Sequence, residues 1–458
     1  MKAVVGAAVA AYAVAFSTLS ILRHRAFETG RFDLGNMAQA VWATAHGHPL
    51  RVTDLRGEQI SRLAAHVDPI LVLFAPLWWI WPSASMLLTA QAVAIALGAL
   101  PVFWLARKHL GSERAAACFA VAYLLLPAVE WLTLNEFHPV ALACPFLLYA
   151  FWFLDSDRLV PFAVFAVLAA ATKEEVALVV ACFGLWYAVS RRRWVAGGGI
   201  AALGVAWTAL AIGVVIPHFN HGDTSAFYGR YGEVGGSPSG LAHTATHHPG
   251  RVVSQAASER GLRYLAELGL PLAGLFLAAP LVALAAAPDL ALNLLSSTRT
   301  QRSIHHHYTA GLLAPLVAAT VLGAALLARR RAGWTMRLAL LVVAAAAVGN
   351  VFLGAISRTW ATHVTAHDRV AMRALRLIPG DAVVTATNSL GAHLSARRRF
   401  LSFPIRGDAT WIAVDLTKPG YLDRNDSEAT ARAVARLRAD RGWRVVFDED
   451  GVLVFRRR

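Results

Sequence analysis

Long apolar runs, separated by short polar or basic stretches, make up most of the first 360 residues. A transmembrane helix needs about 20 mostly apolar residues, so the pattern predicts an α-helical polytopic membrane protein with about nine spans. The first run resembles a signal peptide, but the spans that follow it favour an uncleaved first span. The runs cover residues 3–22, 85–106, 113–133, 139–154, 158–172, 175–190, 194–216, 309–328 and 335–356.

Two apolar stretches do not fit this pattern. Residues 69–82 are too short to cross upright, hold three tryptophans and stop at Pro82, so we interpret them as an interfacial or re-entrant helix. Prolines interrupt residues 262–295 three times, which indicates either two short spans or a re-entrant pair.

The C-terminal tail, from about residue 361, has a different hydrophobic pattern from the rest of the chain. Short β-rich runs alternate with an amphipathic helix at residues 427–440, and residues 448–451 have the composition of a hairpin turn. We therefore expect two domains, a transmembrane domain at 1–360 and a small soluble α/β domain at 361–458. The β-rich runs are residues 382–385, 411–414 and 444–447.

Composition supports a membrane protein. Hydrophobic residues make up 57% of the chain and charged residues 16%, which excludes disorder and exceeds what one soluble core absorbs. The three cysteines lie in apolar runs and are interpreted as small buried side chains, not a metal or disulfide set. The net charge of +15 lies mostly in short loops and at the C-terminus, so it indicates membrane orientation and anionic headgroups, not nucleic acid.

Basic residues also predict the orientation of the spans. Those near 107–114, 191–193 and 329–337 should share the cytoplasmic side, which puts the C-terminal domain outside. The outer loops would then be 134–138, 217–260 and 296–308. Three arginines after the first span contradict this locally. We nevertheless favour it, with 69–82 not crossing and a first external loop at 23–84, because 69–82 is short.

Charged groups at a membrane are costly, so each one is a candidate for function. Asp33 and Asn36 are three residues apart and share a helix face, although an N-cap is the alternative. His66 and Asp68 could orient each other or bind phosphate or metal, or simply form a polar turn. A polar turn between two predicted spans contains Asn135, Glu136 and His138, which would cap both apolar helices.

Two further groups lie near predicted external turns. Successive helix positions differ by about 100°, so of residues 173–175 only Lys173 and one glutamate are expected to face one pocket. Interfacial snorkelling is the alternative for that set. Asn293 and the histidines at 305–307, followed by Tyr308, form the other group. A histidine run suggests a metal site, but these histidines lack the HxxxH or HExxH spacing of such sites, and binding of an anionic headgroup is the alternative.

These motifs together resemble a bacterial multi-pass membrane family known only as a domain of unknown function. That family is similar to a branch of the GT-C superfamily of integral membrane glycosyltransferases. The resemblance covers most of the chain and rests on residues 32–36, 39–42, 66–69, 135–139, 173–174, 288–290, 293–295 and 307–308.

The resemblance implies a polyprenyl-phosphate-linked sugar donor and an external active site with an acidic residue in the first loop. Asp33 matches that residue and would be the general base, typically worth about 10²–10⁴-fold. Many members carry a second acidic residue beside it, where this chain has Leu34. That departure weighs against metal dependence, although a divalent metal stays open and no other cofactor is indicated.

The remaining roles follow from the same resemblance. Lys173, His138 and His307 would stabilise the departing phosphate, while Glu136 and Asp68 would orient groups or bind the acceptor. The prenyl chain would lie near 262–295, and the external α/β domain would hold the acceptor or cover the site. The further substrate-binding candidates are Asn36, His66, Asn135, Glu174 and Tyr308.

Two other functions compete with this prediction. A transporter or flippase of a lipid-linked or anionic substrate would place its polar residues near the midplane, between two pseudo-symmetric halves. No long internal repeat is visible, which disfavours it. A non-catalytic accessory subunit would leave these groups scattered or paired with one another. A transferase instead needs Asp33, the 135–138 turn and His307 to converge. The oligomeric state is left open.

Overall fold

The computed structural model describes residues 1–223, 225–424 and 427–458, and this part of the chain is mostly helical. The α-helices are Lys2–Arg25, Asn36–Ala45, Ala75–Ile80, Ala84–Leu97, Ala99–Leu110, Glu113–Leu125, Pro127–Leu134, Ala143–Asp155, Leu159–Ala170, Val176–Arg191, Trp194–Leu210, Ile216–Phe219, Pro238–His247, Pro249–Ala256, Glu259–Gly269, Pro280–Ala283, Ala287–Leu295, Ala310–Arg330, Trp334–Leu353, Ile356–Thr359, Ala366–Leu375, Asn388–Leu394, Tyr421–Arg424 and Ser427–Ala439.

Shorter helical turns connect these elements. Two are π-helical, Arg31–Gly35 and Ala211–Val215. The 3-10 turns are Arg62–Ala64, Pro69–Phe74, Pro139–Leu142, Ala226–Val234, Leu270–Leu272, Leu275–Ala278, Leu284–Ala286 and His307–Thr309.

Five helical segments within the described ranges are long and apolar enough to cross a membrane, or six if one pair bent by 48° counts as a single span. Five shorter apolar segments accompany them. The chain is therefore a polytopic membrane protein, while the count of about nine spans stays a prediction. The five long segments are Lys2–Arg25, Ala84–Leu110, Trp194–Phe219, His307–Arg330 and Trp334–Thr359.

Burial separates a central helix from peripheral ones. In His307–Arg330, 83% of the most apolar stretch of 18 residues is buried, whereas the corresponding stretches of Lys2–Arg25 and Trp334–Thr359 are each 28% buried. Alanine and glycine are frequent in His307–Arg330, and small side chains let neighbouring helices approach closely. Thr309 and Ala310, at the start of this central helix, are fully buried.

Two of the three predicted basic loops meet at one end of the bundle. Asp155 is buried and forms ion pairs with Lys108 at 2.7 Å, His109 at 2.9 Å and Arg191 at 2.7 Å. The loops after helices Ala99–Leu110 and Val176–Arg191 therefore lie on the same side, as the charge pattern requires. Helix Val176–Arg191 begins at the opposite end, next to Lys173 and Glu174.

The segment at 69–82 has the features of the predicted interfacial helix. It consists of the 3-10 turn Pro69–Phe74 followed by helix Ala75–Ile80. Trp79 is 69% exposed and Ile80 81% exposed, while Trp78 is buried. Large apolar side chains that point away from the protein fit contact with lipid. The broken stretch 262–295 likewise consists of short helices and 3-10 turns instead of one straight span.

Two sheets complete the fold. Strands β1 (Arg51–Thr53) and β2 (Gln59–Ser61) form an antiparallel pair in the first loop. The tail forms a five-stranded sheet in the order β4-β3-β5-β7-β6, in which β3 is parallel to β4 and β5 and the other pairs are antiparallel. These strands are β3 (Val384–Ala386), β4 (Phe400–Ser402), β5 (Trp411–Asp415), β6 (Trp443–Glu449) and β7 (Val452–Arg457).

The tail matches most of its prediction. The predicted amphipathic helix is Ser427–Ala439, which buries Val434 and Leu437. The predicted hairpin turn joins β6 and β7, with positive φ at Asp450 (50°) and Gly451 (76°). Two consecutive residues with positive φ characterise the type I′ turn, which suits an Asp-Gly pair. Strand β4 was not predicted.

Candidate functional site

Two chambers lie side by side at the end of the bundle opposite Asp155. The larger has a volume of about 570 Å³ and the smaller about 110 Å³. Three distant parts of the chain line both chambers: the first loop, the 217–260 loop and the start of the central helix. The shared side chains, which we call the dividing wall, include His66, Lys173, Phe227, Arg230, His307 and Tyr308.

Asp33 lies in the π-helical turn Arg31–Gly35 and faces the larger chamber, with 53% of its side chain exposed. Its Oδ1 is 3.2 Å from Nε2 of His138. Partial desolvation by the chamber walls raises the pKa of Asp33, but the hydrogen bond and charge of His138 outweigh it and hold that pKa below its ordinary value. Asp33 is therefore ionised at neutral pH and accessible to a substrate.

Glu136 lies behind this turn and binds its backbone. Its carboxylate oxygens accept hydrogen bonds from the N–H of Gly30 at 3.0 and 3.1 Å and of Leu34 at 3.0 Å. Burial, together with the negative charge of Asp33, raises the pKa of Glu136 to about 8. Of the two roles that the sequence suggested for Glu136, this geometry fits orientation.

The histidines of the site are fixed by Asn135. Its backbone oxygen accepts a hydrogen bond from Nδ1 of His138 at 2.7 Å, and its Oδ1 accepts one from the N–H of His307 at 3.0 Å. The rings of His138 and His307 stack with centroids 3.7 Å apart. Asp33, the 135–138 turn and His307 therefore converge, as the transferase prediction requires.

His66 and Asp68 both line the larger chamber, but each has a different partner. Glu174 accepts hydrogen bonds from Nδ1 of His66 at 2.9 Å and from the Val67 N–H at 3.0 Å. These bonds and nearby Lys173 outweigh burial and hold the pKa of Glu174 at about 2. His66 and Asp68 are therefore not paired with each other.

Asp68 forms an ion pair with Arg62, whose Nη2 lies 2.9 Å from Asp68 Oδ2. Burial raises the pKa of Asp68 to about 6, although Arg62 opposes this. The sequence interpretation missed Arg62. Its signal was a basic residue four positions before His66 in the same polar stretch.

One expectation about Lys173, Glu174 and Glu175 was wrong. It assumed a helix, in which only one glutamate would face a pocket with Lys173. Residues 171–175 instead form a turn before helix Val176–Arg191, so all three residues line the smaller chamber. Lys173 Nζ lies 2.5 Å from Glu175 Oε1. Burial lowers the pKa of Lys173, but Glu175 and Glu174 outweigh it and raise that pKa above its ordinary value.

Arg230 is a second cation that the sequence interpretation missed. It lies on the 3-10 turn Ala226–Val234, its Nη1 donates to Tyr308 Oη at 3.2 Å, and its guanidinium lies over the Phe227 ring at 4.4 Å. In the described part of the chain, no carboxylate lies within ion-pair distance of it. An arginine between aromatic residues in a predicted external loop was the available signal.

The remaining candidates lie in different places. Asn36 lines the larger chamber and donates to the Phe32 oxygen at 3.1 Å, and Asn293 donates to the Tyr308 oxygen at 2.8 Å. His305 points to Arg358, whose Nη1 is 3.0 Å from its Nε2. Within the described residues, no group of three or more His, Cys, Asp or Glu side chains is arranged to hold a metal ion.

Comparisons with known proteins identify the family and the fold of this chain. A family model described as a predicted membrane protein, DUF2079, matches residues 23–454. The fold matches the crystal structure of ArnT from Cupriavidus metallidurans bound to undecaprenyl phosphate, with a TM-score of 0.55, 12% identity and 97% of each chain covered. The apo structure of the same protein gives a TM-score of 0.51 at 12% identity, over 97% of this chain and 98% of ArnT. No curated protein matches the sequence.

Proposed function

This chain belongs to the DUF2079 family of predicted membrane proteins, and we propose that it is a membrane glycosyltransferase. It moves a sugar from a polyprenyl-phosphate-linked donor to an acceptor outside the cytoplasm, with inversion at the anomeric carbon. The fold is that of ArnT, a GT-C glycosyltransferase that has been crystallised with undecaprenyl phosphate. The two chambers with Asp33 are the part of this chain that would perform the reaction.

One observation carries the proposal. Asp33 is an accessible carboxylate in the same chamber as Lys173 and Arg230. Its partner His138 stacks on His307 of the dividing wall. An acceptor hydroxyl in the larger chamber would hydrogen-bond to Asp33 and attack the anomeric carbon. The bond between that carbon and the phosphate oxygen breaks, its electron pair stays on the phosphate, and the hydroxyl proton passes to Asp33.

Charge on the departing phosphate needs preorganised donors. Lys173 and Arg230 lie 5.9 and 5.8 Å from the centre of the Tyr308 ring, so both cations reach the same part of the dividing wall. Arg230 has no competing carboxylate in the described part of the chain, and a guanidinium can bind phosphate through two hydrogen bonds. His138 and His307 complete this side of the site.

The surroundings suit a lipid donor. Leu277, Leu281 and Leu284, in the broken 262–295 segment, are 71%, 50% and 60% exposed and offer an apolar surface to a prenyl chain. The end of the bundle that carries Asp33 would face away from the cytoplasm, together with the C-terminal α/β domain. A transporter would need its polar groups near the midplane, whereas here they lie beyond the helix ends.

A complementation experiment tests this function without knowledge of the sugar. A strain lacking the gene is complemented with the wild-type chain, with Asp33→Asn, or with Asp381→Asn, which makes the same change at an exposed position. Cell-wall and glycolipid glycans are then compared at equal membrane levels of protein. Wild type and Asp381→Asn should restore a missing glycan, and Asp33→Asn should not. Restoration by Asp33→Asn would remove the base assignment.

A further inference from the structure

The smaller chamber contains a carboxylate that the proposed mechanism does not use. Asp289 is 6% exposed, lines this chamber and has no hydrogen-bond partner for its Oδ1 within the described residues. A Cβ atom on Gly311 would lie 1.8 Å from Asp289 Oδ2, so a larger residue at position 311 would displace the carboxylate. The chain thus accommodates this group at the start of the central helix.

A buried carboxylate without hydrogen bonds is costly, because burial removes the water that would otherwise solvate it. Lys173 is a nearby cation, but its ammonium already pairs with Glu175 at 2.5 Å. The protein therefore leaves Asp289 Oδ1 free to accept a hydrogen bond from something that enters the chamber.

The other walls of the chamber indicate what enters. Tyr231 presents a phenol whose oxygen accepts a hydrogen bond from Gln301 at 3.2 Å, and Tyr228 adds a second aromatic ring. At about 110 Å³, the chamber has room for several water-sized groups, which suits one sugar ring and not an extended glycan. Hydrogen-bond acceptors next to aromatic rings complement the hydroxyls and the apolar faces of a sugar.

We propose that the smaller chamber binds the monosaccharide of the donor, and that Asp289 accepts hydrogen bonds from its hydroxyls and so selects the sugar. This inference rests on the proposed function. The anomeric carbon would lie at the dividing wall, where His307 and Tyr308 line both chambers, with the phosphate at Arg230. The larger chamber, with Asp33, is then left for the acceptor.

A binding experiment tests the sugar site separately from catalysis. The full chain in lipid nanodiscs is titrated with undecaprenyl phosphate and with a panel of undecaprenyl-phosphoryl hexoses and pentoses. Wild type should bind at least one sugar-bearing lipid more tightly than the bare lipid. Asp289→Asn should weaken that binding about tenfold or more and leave the Kd of the bare lipid within about twofold, because it replaces an acceptor oxygen with an amide donor.

Tyr231→Phe tests the same site in case the Asp289 variant does not fold. It keeps the ring, removes one hydroxyl and should weaken the binding of the same sugar-bearing lipid about threefold. Asp381→Asn is the exposed control and should bind like wild type. Equal weakening of the bare and sugar-bearing lipids, or no discrimination by wild type, overturns the sugar site.

A further variant separates this inference from the proposed function. Arg230→Gln should weaken the binding of both the bare and the sugar-bearing lipid, because it removes a phosphate contact. If it changes neither Kd, the lipid-phosphate proposal fails. If Arg230→Gln weakens the binding of both lipids while Asp289→Asn changes neither Kd, the lipid-phosphate proposal is supported and the sugar site alone is wrong.

Discussion

His138 Nε2 lies 3.2 Å from Asp33 Oδ1, while Nδ1 of the same ring is 2.7 Å from the backbone oxygen of Asn135. A carbonyl oxygen can only accept, so Nδ1 must carry a proton. The contact between Nε2 and Asp33 then needs a second proton, shared between the imidazole and the carboxylate. The hydrogen bond and charge of His138 outweigh burial and hold the pKa of Asp33 below its ordinary value, so Asp33 is ionised at neutral pH.

This pair predicts how the rate depends on pH. A base acts only when ionised, and His138 lowers the pKa of Asp33 against the effect of burial. Replacing His138→Gln should leave burial dominant and raise that pKa, so the acid limb of kcat/KM should move to higher pH. His363→Gln, at an exposed position, should keep the wild-type profile. An unchanged acid limb in His138→Gln would contradict the pairing.

Glu136 predicts a pH dependence of stability. Its pKa in the folded chain is raised to about 8 by burial and by the charge of Asp33, against an ordinary value of 4.5. Between these values the folded state binds more protons than the unfolded state, so stability falls as pH rises. We expect the Tm in detergent to fall from about pH 5 to pH 8.

The matched variant for this prediction is Glu136→Gln, which cannot titrate. Its Tm should lie below that of wild type at pH 5, because it loses hydrogen bonds to the Asp33 turn, worth about 1–3 kcal/mol. The Tm of Glu136→Gln should also change less with pH. If Tm falls equally steeply with pH in the two proteins, Glu136 does not titrate in this range.

The sequence predicted the residues of the site better than their partners. Asp33, the 135–138 turn and His307 were found because polar groups between apolar runs are conspicuous. Arg62 and Arg230 were missed because their importance comes from the fold, which brings Arg62 to Asp68 and Arg230 to Tyr308.

Similar limits apply to the fold. Apolar length predicted a polytopic protein, but helices of 12 to 16 residues such as Leu159–Ala170 and Val176–Arg191 leave the span count open. In the tail, the Asp-Gly turn is a local signal and was found. Strand β4 has three residues and forms by pairing with β3, a contact that no local pattern specifies.

The C-terminal region that contains the five-stranded sheet supports the turn that carries Asp33, which gives the last prediction. The Arg31 N–H donates to Asn388 Oδ1 at 3.0 Å, and Arg31 Nη2 donates to the Phe400 oxygen at 3.2 Å. Asn388→Ala should therefore loosen the turn, speeding hydrogen exchange at residues 30–36 and lowering transfer about tenfold. Arg444→Ala, exposed on β6 of the same region, should do neither. If Asn388→Ala transfers sugar at the wild-type rate, the C-terminal region does not position the catalytic base.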